Sequence, residues 1–315
     1  MGRRRLFTLI KTRHLNQKKQ FRKSILFLLP LLFTFTCFNL IPSLTGIYAA
    51  FTKWTLGDRP IWVGLSNLKA ILFDPSTEYY WTFRWGLGNT CLFVLLCVPL
   101  RIIVPLLFAF AINTRCRGNK LFQAIYYLPS LLSLSVVMSS WAYMFDTNYG
   151  IINALLGLGK FSWTNTIPYN WIAIIWISVW WGNGGTMIIY QSALAGIPQE
   201  IIESSEIDGA NTMQRFFHIT LPSIRYPLSY TLATTLIAEF NVWGQPMMFN
   251  NGGIIVETVN GFTRKSNMML MQYIKDLGFG NYGANPGVAS AMSLALGLII
   301  VLVSMVQIRL MRENS

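Results

Sequence analysis

The stretch Leu194-Ala195-Gly196-Ile197-Pro198-Gln199-Glu200-Ile201-Ile202-Glu203-Ser204-Ser205-Glu206-Ile207-Asp208-Gly209-Ala210-Asn211, completed by Phe216-Phe217-His218-Ile219-Thr220-Leu221-Pro222, breaks the character of the chain around it. Four of the twelve acids, Glu200, Glu203, Glu206 and Asp208, fall within it. Pro198 suits the first turn of a helix, where its missing N–H is harmless. Glu200 and Glu203 favour the positive end of the helix dipole. Gly209 permits a sharp turn or a close approach, and Pro222 limits the segment that follows. The pattern predicts a short helix, a glycine bend and a second short helix, lying beside a membrane rather than across it. An ordinary amphipathic loop helix fits the same physics.

On both sides of this segment the chain turns apolar. Over all 315 residues, 53% are hydrophobic and only 12% charged, with a mean hydropathy of +0.44. Soluble domains carry roughly 25% charged residues, so the composition points to lipid as the solvent. A spanning helix needs about 20 mostly apolar residues. Six runs qualify, at residues 24–51, 87–113, 121–145, 171–196, 227–249 and 287–307. The first is too long for the apolar region of a signal peptide, about 7–15 residues, and is expected to stay.

The net charge of +13 is unevenly spread. Residues 1–23 hold nine Lys and Arg (Arg3, Arg4, Arg5, Lys11, Arg13, Lys18, Lys19, Arg22, Lys23), and no later segment matches them. Positive charge collects on the cytoplasmic side of membrane proteins. With the N-terminus inside, sixteen Lys and Arg fall on inner segments, eight on outer loops, and Arg101 within a run. Both termini are then cytoplasmic, and the basic arm faces anionic lipid rather than nucleic acid. The long loops 52–86 and 250–286 face outward. Their aromatics Trp54, Trp62, Tyr79, Tyr80, Trp81 and Trp85 are expected at the interface, or on a surface for an external protein.

Cys37, Cys91 and Cys97 lie in apolar runs and Cys116 in a short basic loop. Their spacing suggests neither a metal site nor a redox pair. His14 and His218 are the two histidines, and no catalytic cluster accompanies them. The Walker pattern is missing: Gly157-Leu158-Gly159-Lys160-Phe161 has the wrong spacing, falls in an outer loop, and reads as a turn. The chain is expected to be no enzyme and to bind no metal or cofactor.

Two opposite charges stand deep in the apolar runs. Arg101 lies 12 residues from the inner boundary of the second run, about 18 Å at 1.5 Å per residue, too far for easy snorkelling. Glu239 lies at a matching depth in the fifth run. Intramembrane charges are usually paired, so either Arg101 and Glu239 are neighbours, directly or through a polar cavity, or each lines a wet cavity or is capped by backbone independently.

Together these residues resemble a known family. Glu203-Ser204-Ser205, Gly209 and Ile219-Thr220-Leu221-Pro222 reproduce the signature spacing of binding-protein-dependent ABC importer permeases, with serines where alanines are usual. Val63-Gly64-Leu65-Ser66-Asn67, Tyr127-Leu128-Pro129, Ile207-Asp208-Gly209-Ala210 and Asn251-Gly252-Gly253 resemble the carbohydrate-uptake, maltose-type branch; Ile254 replaces its usual proline. The resemblance implies an all-α integral membrane fold, with six transmembrane helices and a short cytoplasmic coupling helix between helices four and five. It divides the chain into the arm 1–23, a permease domain 24–308 with the coupling segment 194–222, and a tail 309–315. It implies a multi-pass inner (plasma) membrane subunit that translocates a carbohydrate, an oligosaccharide by preference. The partners implied are a homologous second permease, two ATPase subunits that bind ATP and Mg, and an extracytoplasmic solute-binding protein.

The resemblance also implies roles for single residues. Glu203, Ser204, Ser205, Asp208 and Gly209 would transmit motion from the ATPase. Ser178, Trp181, Gly182, Gly185, Thr235, Ala238, Glu239 and Val242, with Asn241 adjacent, match positions of family sugar contacts. Trp181, Trp243 and Tyr190 offer aromatic faces for sugar rings, though such residues more often serve packing. An ion-coupled secondary transporter, with Arg101 and Glu239 as a relay, and a non-transporting scaffold are the competing readings. Uptake that survives without an ATPase but collapses with the ion gradient would favour the first. Purification without an ATPase, together with indifference of transport to Glu203→Lys, would favour the second.

Overall fold

The computed structural model describes residues 25–55, 57–113, 118–280 and 284–313. The basic arm 1–23, Arg115, Cys116, Arg117, Gly283 and the end of the tail lie outside the described residues. Helices dominate: α1 Ile25–Ala50, α2 Ser66–Leu72, α3 Glu78–Asn113, α4 Asn119–Tyr127, α5 Leu134–Met144, α6 Ile151–Leu156, α7 Tyr169–Gly182, α8 Gly184–Ala195, α9 Gln199–Ile207, α10 Thr212–Arg215, α11 Leu221–Ser223, α12 Arg225–Phe240, α13 Gly244–Asn250, α14 Leu270–Phe279 and α15 Pro286–Glu313.

The purely helical expectation needs one correction. Two antiparallel hairpins sit in the long connections 52–65 and 251–269: β1 Thr52–Lys53 with β2 Ile61–Trp62, and β3 Ile255–Val259 with β4 Phe262–Lys265. Both are short and lie in segments too polar to span, where turn glycines such as Gly57 and Gly261 supply positive φ at no steric cost.

Three continuous helices, α1, α3 and α15, are long and apolar enough to cross a membrane, and two bent pairs raise the number to five among the described residues. The third and fourth runs are therefore not the straight helices expected. Residues 119–144 bend by 98° between α4 and α5. Pro129 sits in the first turn of a 3₁₀ stretch, Leu128–Leu131, where its missing N–H is tolerated, and the chain leaves helix after it, at Leu132 and Ser133, both extended with ψ 146°. Ser133 then caps α5, its hydroxyl accepting from the Val136 N–H at 3.4 Å. Residues 169–195 bend by 48° at Asn183, between Gly182 and Gly184. The fifth run ends early: α12 has 16 residues, or about 24 Å, and the chain leaves it at Asn241–Trp243 before α13.

The second run begins earlier than hydropathy marks it. α3 spans 36 residues, about 54 Å, against a hydrocarbon core of about 30 Å. Its first turns therefore stand outside lipid, and Tyr79, Tyr80, Trp81 and Trp85 are helical residues rather than loop residues. Trp81 donates from Nε1 to Pro75 O at 2.9 Å and packs at 5.5 Å on Trp85.

α3 is the central post. Phe83, Val94 and Val98 join one buried cluster with α14 and α15. Phe93 and Cys97 join a second with Val137, Met138, Trp171 and Ile174. Leu106 and Ala109 join a third with Met187, Tyr190 and Ile224. By contrast the first half of α1 buries nothing: Phe27 is 89% exposed and its apolar neighbours are exposed too. Water would not tolerate such a belt, whereas lipid does.

The end of the bundle that carries the hairpins is held by side-chain amides. Asn67, nearly buried on α2, donates from Nδ2 to Ala50 O at 3.0 Å and Thr52 O at 2.8 Å, tying α2 to the end of α1. Asn89 donates to Met268 O at 2.9 Å, and the Leu270 N–H donates to Thr90 Oγ1 at 3.0 Å, anchoring α14 on α3. Asn67→Ala strands two buried carbonyls, at about 1–3 kcal/mol for each unsatisfied group. Its melting temperature in detergent should fall by several degrees, and Asn67→Ser should not recover it.

Candidate functional site

The polar residues at membrane depth converge where the helices break. Arg101, from the middle of α3, forms an ion pair through Nη1 with Glu239 Oε1 on the last turn of α12; their side chains are 17% and 2% exposed. The Arg101 Nη2 donates to the Gly182 carbonyl at 2.9 Å. Gly182 closes α7, and a Cβ there would collide with the Arg101 guanidinium. The residue type is thus set by close approach.

The same break is joined to the one before α5. Ser130 Oγ donates to Trp181 O at 3.0 Å and accepts from the Gly184 N–H at 3.1 Å. Trp181 Nε1 donates to Leu132 O at 3.0 Å. Broken helices in lipid need such partners, because no water reaches the freed backbone groups. Gly184 lies so close to Ser130 and Tyr127 that it has no room for a Cβ.

The expected path residues separate into two sets. Ser178, Tyr190, Thr235, Val242 and Glu239 are buried within the chain. Tyr190 and Thr231 share a hydrogen bond of 2.6 Å, which occupies the tyrosine hydroxyl. Gly185, Ala238 and Asn241 are exposed, and Trp181, Gly182 and Trp243 are half-buried. Asn241 spends one amide donor on Ile237 O at 2.7 Å. The Trp181 N–H is also taken, so only its ring remains for a ligand.

Trp243 borders a cavity of about 700 Å³ together with Trp54, Lys275, Phe279, Ser290 and Ser293. The Lys275 Nζ sits 5.1 Å from the centre of the Trp243 ring, within cation–π range. Sequence reasoning missed Lys275 because it lies in a connecting segment 32 residues from Trp243. It missed Ser130 because a lone serine in an apolar run signals nothing about its partner.

The segment 194–222 has the expected helix–bend–helix shape. α9 is followed by Gly209 with φ +81°, then by α10 and the π-helical turn Phe216–Thr220. Asn211 and Gln214 form a reciprocal capping box, both bonds at 2.8 Å. An ion pair between Glu206 and Arg215 closes the bend. Ser204 Oγ donates to Ile201 O at 3.1 Å and Ser205 Oγ to Ile202 O at 2.6 Å, so both hydroxyls are satisfied inside their own helix. Glu203 accepts from Gln199 Nε2 at 2.8 Å and stays exposed.

The outward side of this element is unusual for a loop. Ile207 is 87% exposed, and Ile201, Met213 and Phe217 are exposed with it, interleaved with Glu200, Glu203, Glu206 and Asp208. Behind it lies a cavity of about 650 Å³, bounded by Phe110 and Asn113 of α3, Leu194, Glu203 and Arg215. An exposed apolar patch with a charged rim is an arrangement suited to a protein partner.

Comparison with known proteins gives concordant results. Residues 82–312 match the family described as binding-protein-dependent transport system inner membrane component. The chain is 31% identical over 286 residues to the probable ABC transporter permease protein YesP of Bacillus subtilis (strain 168), covering 89% of this chain and 87% of that protein. It is 29% identical over 281 residues to the multiple sugar-binding transport system permease protein MsmF of Streptococcus mutans serotype c (strain ATCC 700610 / UA159), covering 88% and 90%. Among solved structures, a chain of a bacterial ABC transporter involved in the import of the acidic polysaccharide alginate superposes with a TM-score of 0.74 at 21% identity, over 96% of this chain and 99% of that one.

Proposed function

Because the chain belongs to the family of binding-protein-dependent transport system inner membrane components, we propose that it is the permease subunit of an ATP-driven importer that moves a carbohydrate, an oligosaccharide by preference, across the inner membrane. The observation that carries this reading is the exposed inner element: α9, the Gly209 bend and α10, with apolar side chains set among acids. In this reading a partner ATPase docks there and binds ATP and Mg itself. Glu203, Ser204, Ser205, Asp208 and Gly209 carry its motion into the bundle.

Six crossings complete the arrangement, with α12 and α13 together forming the fifth. Both termini and the arm 1–23 then lie on the cytoplasmic side. The path runs beside Trp181, Gly185, Ala238, Asn241 and Trp243, shared with a homologous second permease, and a solute-binding protein delivers substrate to the outer segments. The carbohydrate assignment draws support from the sugar-binding transport named for the Streptococcus relative.

The test is purification of the tagged full chain from its native membranes. Two ATPase subunits and a second permease should co-purify. In vesicles, uptake of the sugar bound by the associated solute-binding protein should require internal ATP and persist when ion gradients are collapsed. Uptake that follows the ion gradient without an ATPase would overturn the proposal. So would a Glu203→Lys chain that still imports at the normal rate.

A further inference from the structure

Two helix breaks lie at the level of one side chain. α7 ends at Gly182, where the turn at Asn183 interrupts the ladder, and the Gly182 carbonyl turns to Arg101 at 2.9 Å. α12 ends at Phe240, one residue after Glu239, and the Glu239 carboxylate pairs with the same guanidinium. An ion pair alone would need only the second contact. Arg101 makes both, and guanidinium is suited to this because its donors are fixed in a rigid planar fork, whereas an ammonium is a compact point charge. The glycine at 182 fits the same purpose, since any Cβ there would displace the guanidinium from the carbonyl. Arg101 itself sits within an unbroken helix that packs on α7, α8 and α12.

We propose that Arg101 is a positioning residue of the translocation path: its two-pronged contact locks the α7–α8 break to the end of α12, so that Gly185 on one and Asn241 on the other move as one unit. This rests on the reading that these two elements line the path. Arg101 does not touch the cargo. It fixes the register between the surfaces that do.

Arg101→Lys separates this from a plain charge pair, because lysine keeps the charge facing Glu239 but cannot hold both acceptors in the fork geometry. Two measurements on the assembled transporter decide it. The first is uptake kinetics. The maximal rate should fall roughly tenfold while KM stays within about twofold, the pattern of an interaction needed for turnover rather than for binding. The second is the distance distribution by electron paramagnetic resonance between labels at Ser192→Cys on α8 and Tyr230→Cys on α12, both exposed, with Cys37, Cys91 and Cys116 replaced. It should broaden in Arg101→Lys.

A normal rate per inserted molecule, with an unchanged distribution, would overturn the proposal, because charge alone would then suffice. If the unaltered transporter shows no ATP-driven uptake, the transport reading fails. The distribution then decides the lock alone: broadening supports it and unchanged width overturns it. Should Arg101→Lys fail to insert, Gly182→Ala asks the same question with both charges in place, and is read by the same two outcomes.

Discussion

Gly209→Pro inserts and folds its bundle but loses ATP-driven uptake by roughly tenfold to a hundredfold, since each 1.4 kcal/mol is a factor of ten and a residue forced from its backbone region costs about 1–3 kcal/mol. Three separate effects add at this position. Gly209 holds φ +81°, while proline is confined near −65°. Its N–H, bonded to Glu206 O at 3.1 Å, disappears. Asp208, now preceding a proline, is pushed out of the helical region in which it closes α9. The bend between α9 and α10 then opens, and the Glu206–Arg215 pair across it separates. Gly209→Ala is the control. Nothing lies within 4 Å of a Cβ there, so alanine suffers only the left-handed backbone, about 1–2 kcal/mol, keeps its N–H, and should retain clearly more uptake than proline. Membrane abundance and uptake measured together check both variants. A Gly209→Pro chain with normal uptake would mean that the bend carries no motion.

The second large effect is on stability. Glu239→Ala leaves the Arg101 guanidinium deep in the bundle with only the Gly182 carbonyl. Breaking one side of a buried ion pair costs about 3–5 kcal/mol, whereas replacing both partners by apolar residues of similar volume is often neutral. Glu239→Ala should therefore lower the melting temperature in detergent strongly, and Arg101→Leu/Glu239→Leu should recover most of that loss. The recovered double variant should still transport poorly, because no fork joins the two helices. Thermal unfolding of the single and double variants, followed by uptake in vesicles, checks each part. Equal melting temperatures for Glu239→Ala and the unaltered chain would count against a buried pair that matters.

Several features are legible in the amino-acid order. Apolar run length against lipid locates α1, α3 and α15, because a span must be long and must satisfy its backbone internally. The helix–bend–helix at residues 199–215 is legible because Pro198, Gly209 and Pro222 restrict the backbone locally. The neighbourhood of Arg101 and Glu239, 138 residues apart, follows from equal depth and opposite sign.

The breaks are not legible in the same way. Hydropathy sums side chains over a window and does not register that the chain leaves helix at Leu132 or that the turn at Asn183 interrupts a hydrogen-bond ladder. Nor does it register that α3 continues past its apolar stretch through Tyr79 and Trp81. The burial of Ser178, matched to a path position by resemblance, and of Tyr190, read as an aromatic face for sugar rings, depends on which face of α7 and α8 meets α3, and a helix of apolar residues all round does not declare that face.

The sequence by itself determined the solvent, the number of apolar runs, the acidic helix–bend–helix element and the two deep charges, since each follows from local composition or local backbone restriction. Only the tertiary structure decided that Ser130 satisfies the break at Trp181–Gly184, that Lys275 stands over Trp243, and that Arg101 holds a backbone carbonyl as well as a carboxylate. A carbonyl becomes a free acceptor only when its helix stops, and every residue has one. Which of them is freed, and what reaches it, is settled by packing between segments far apart in the chain.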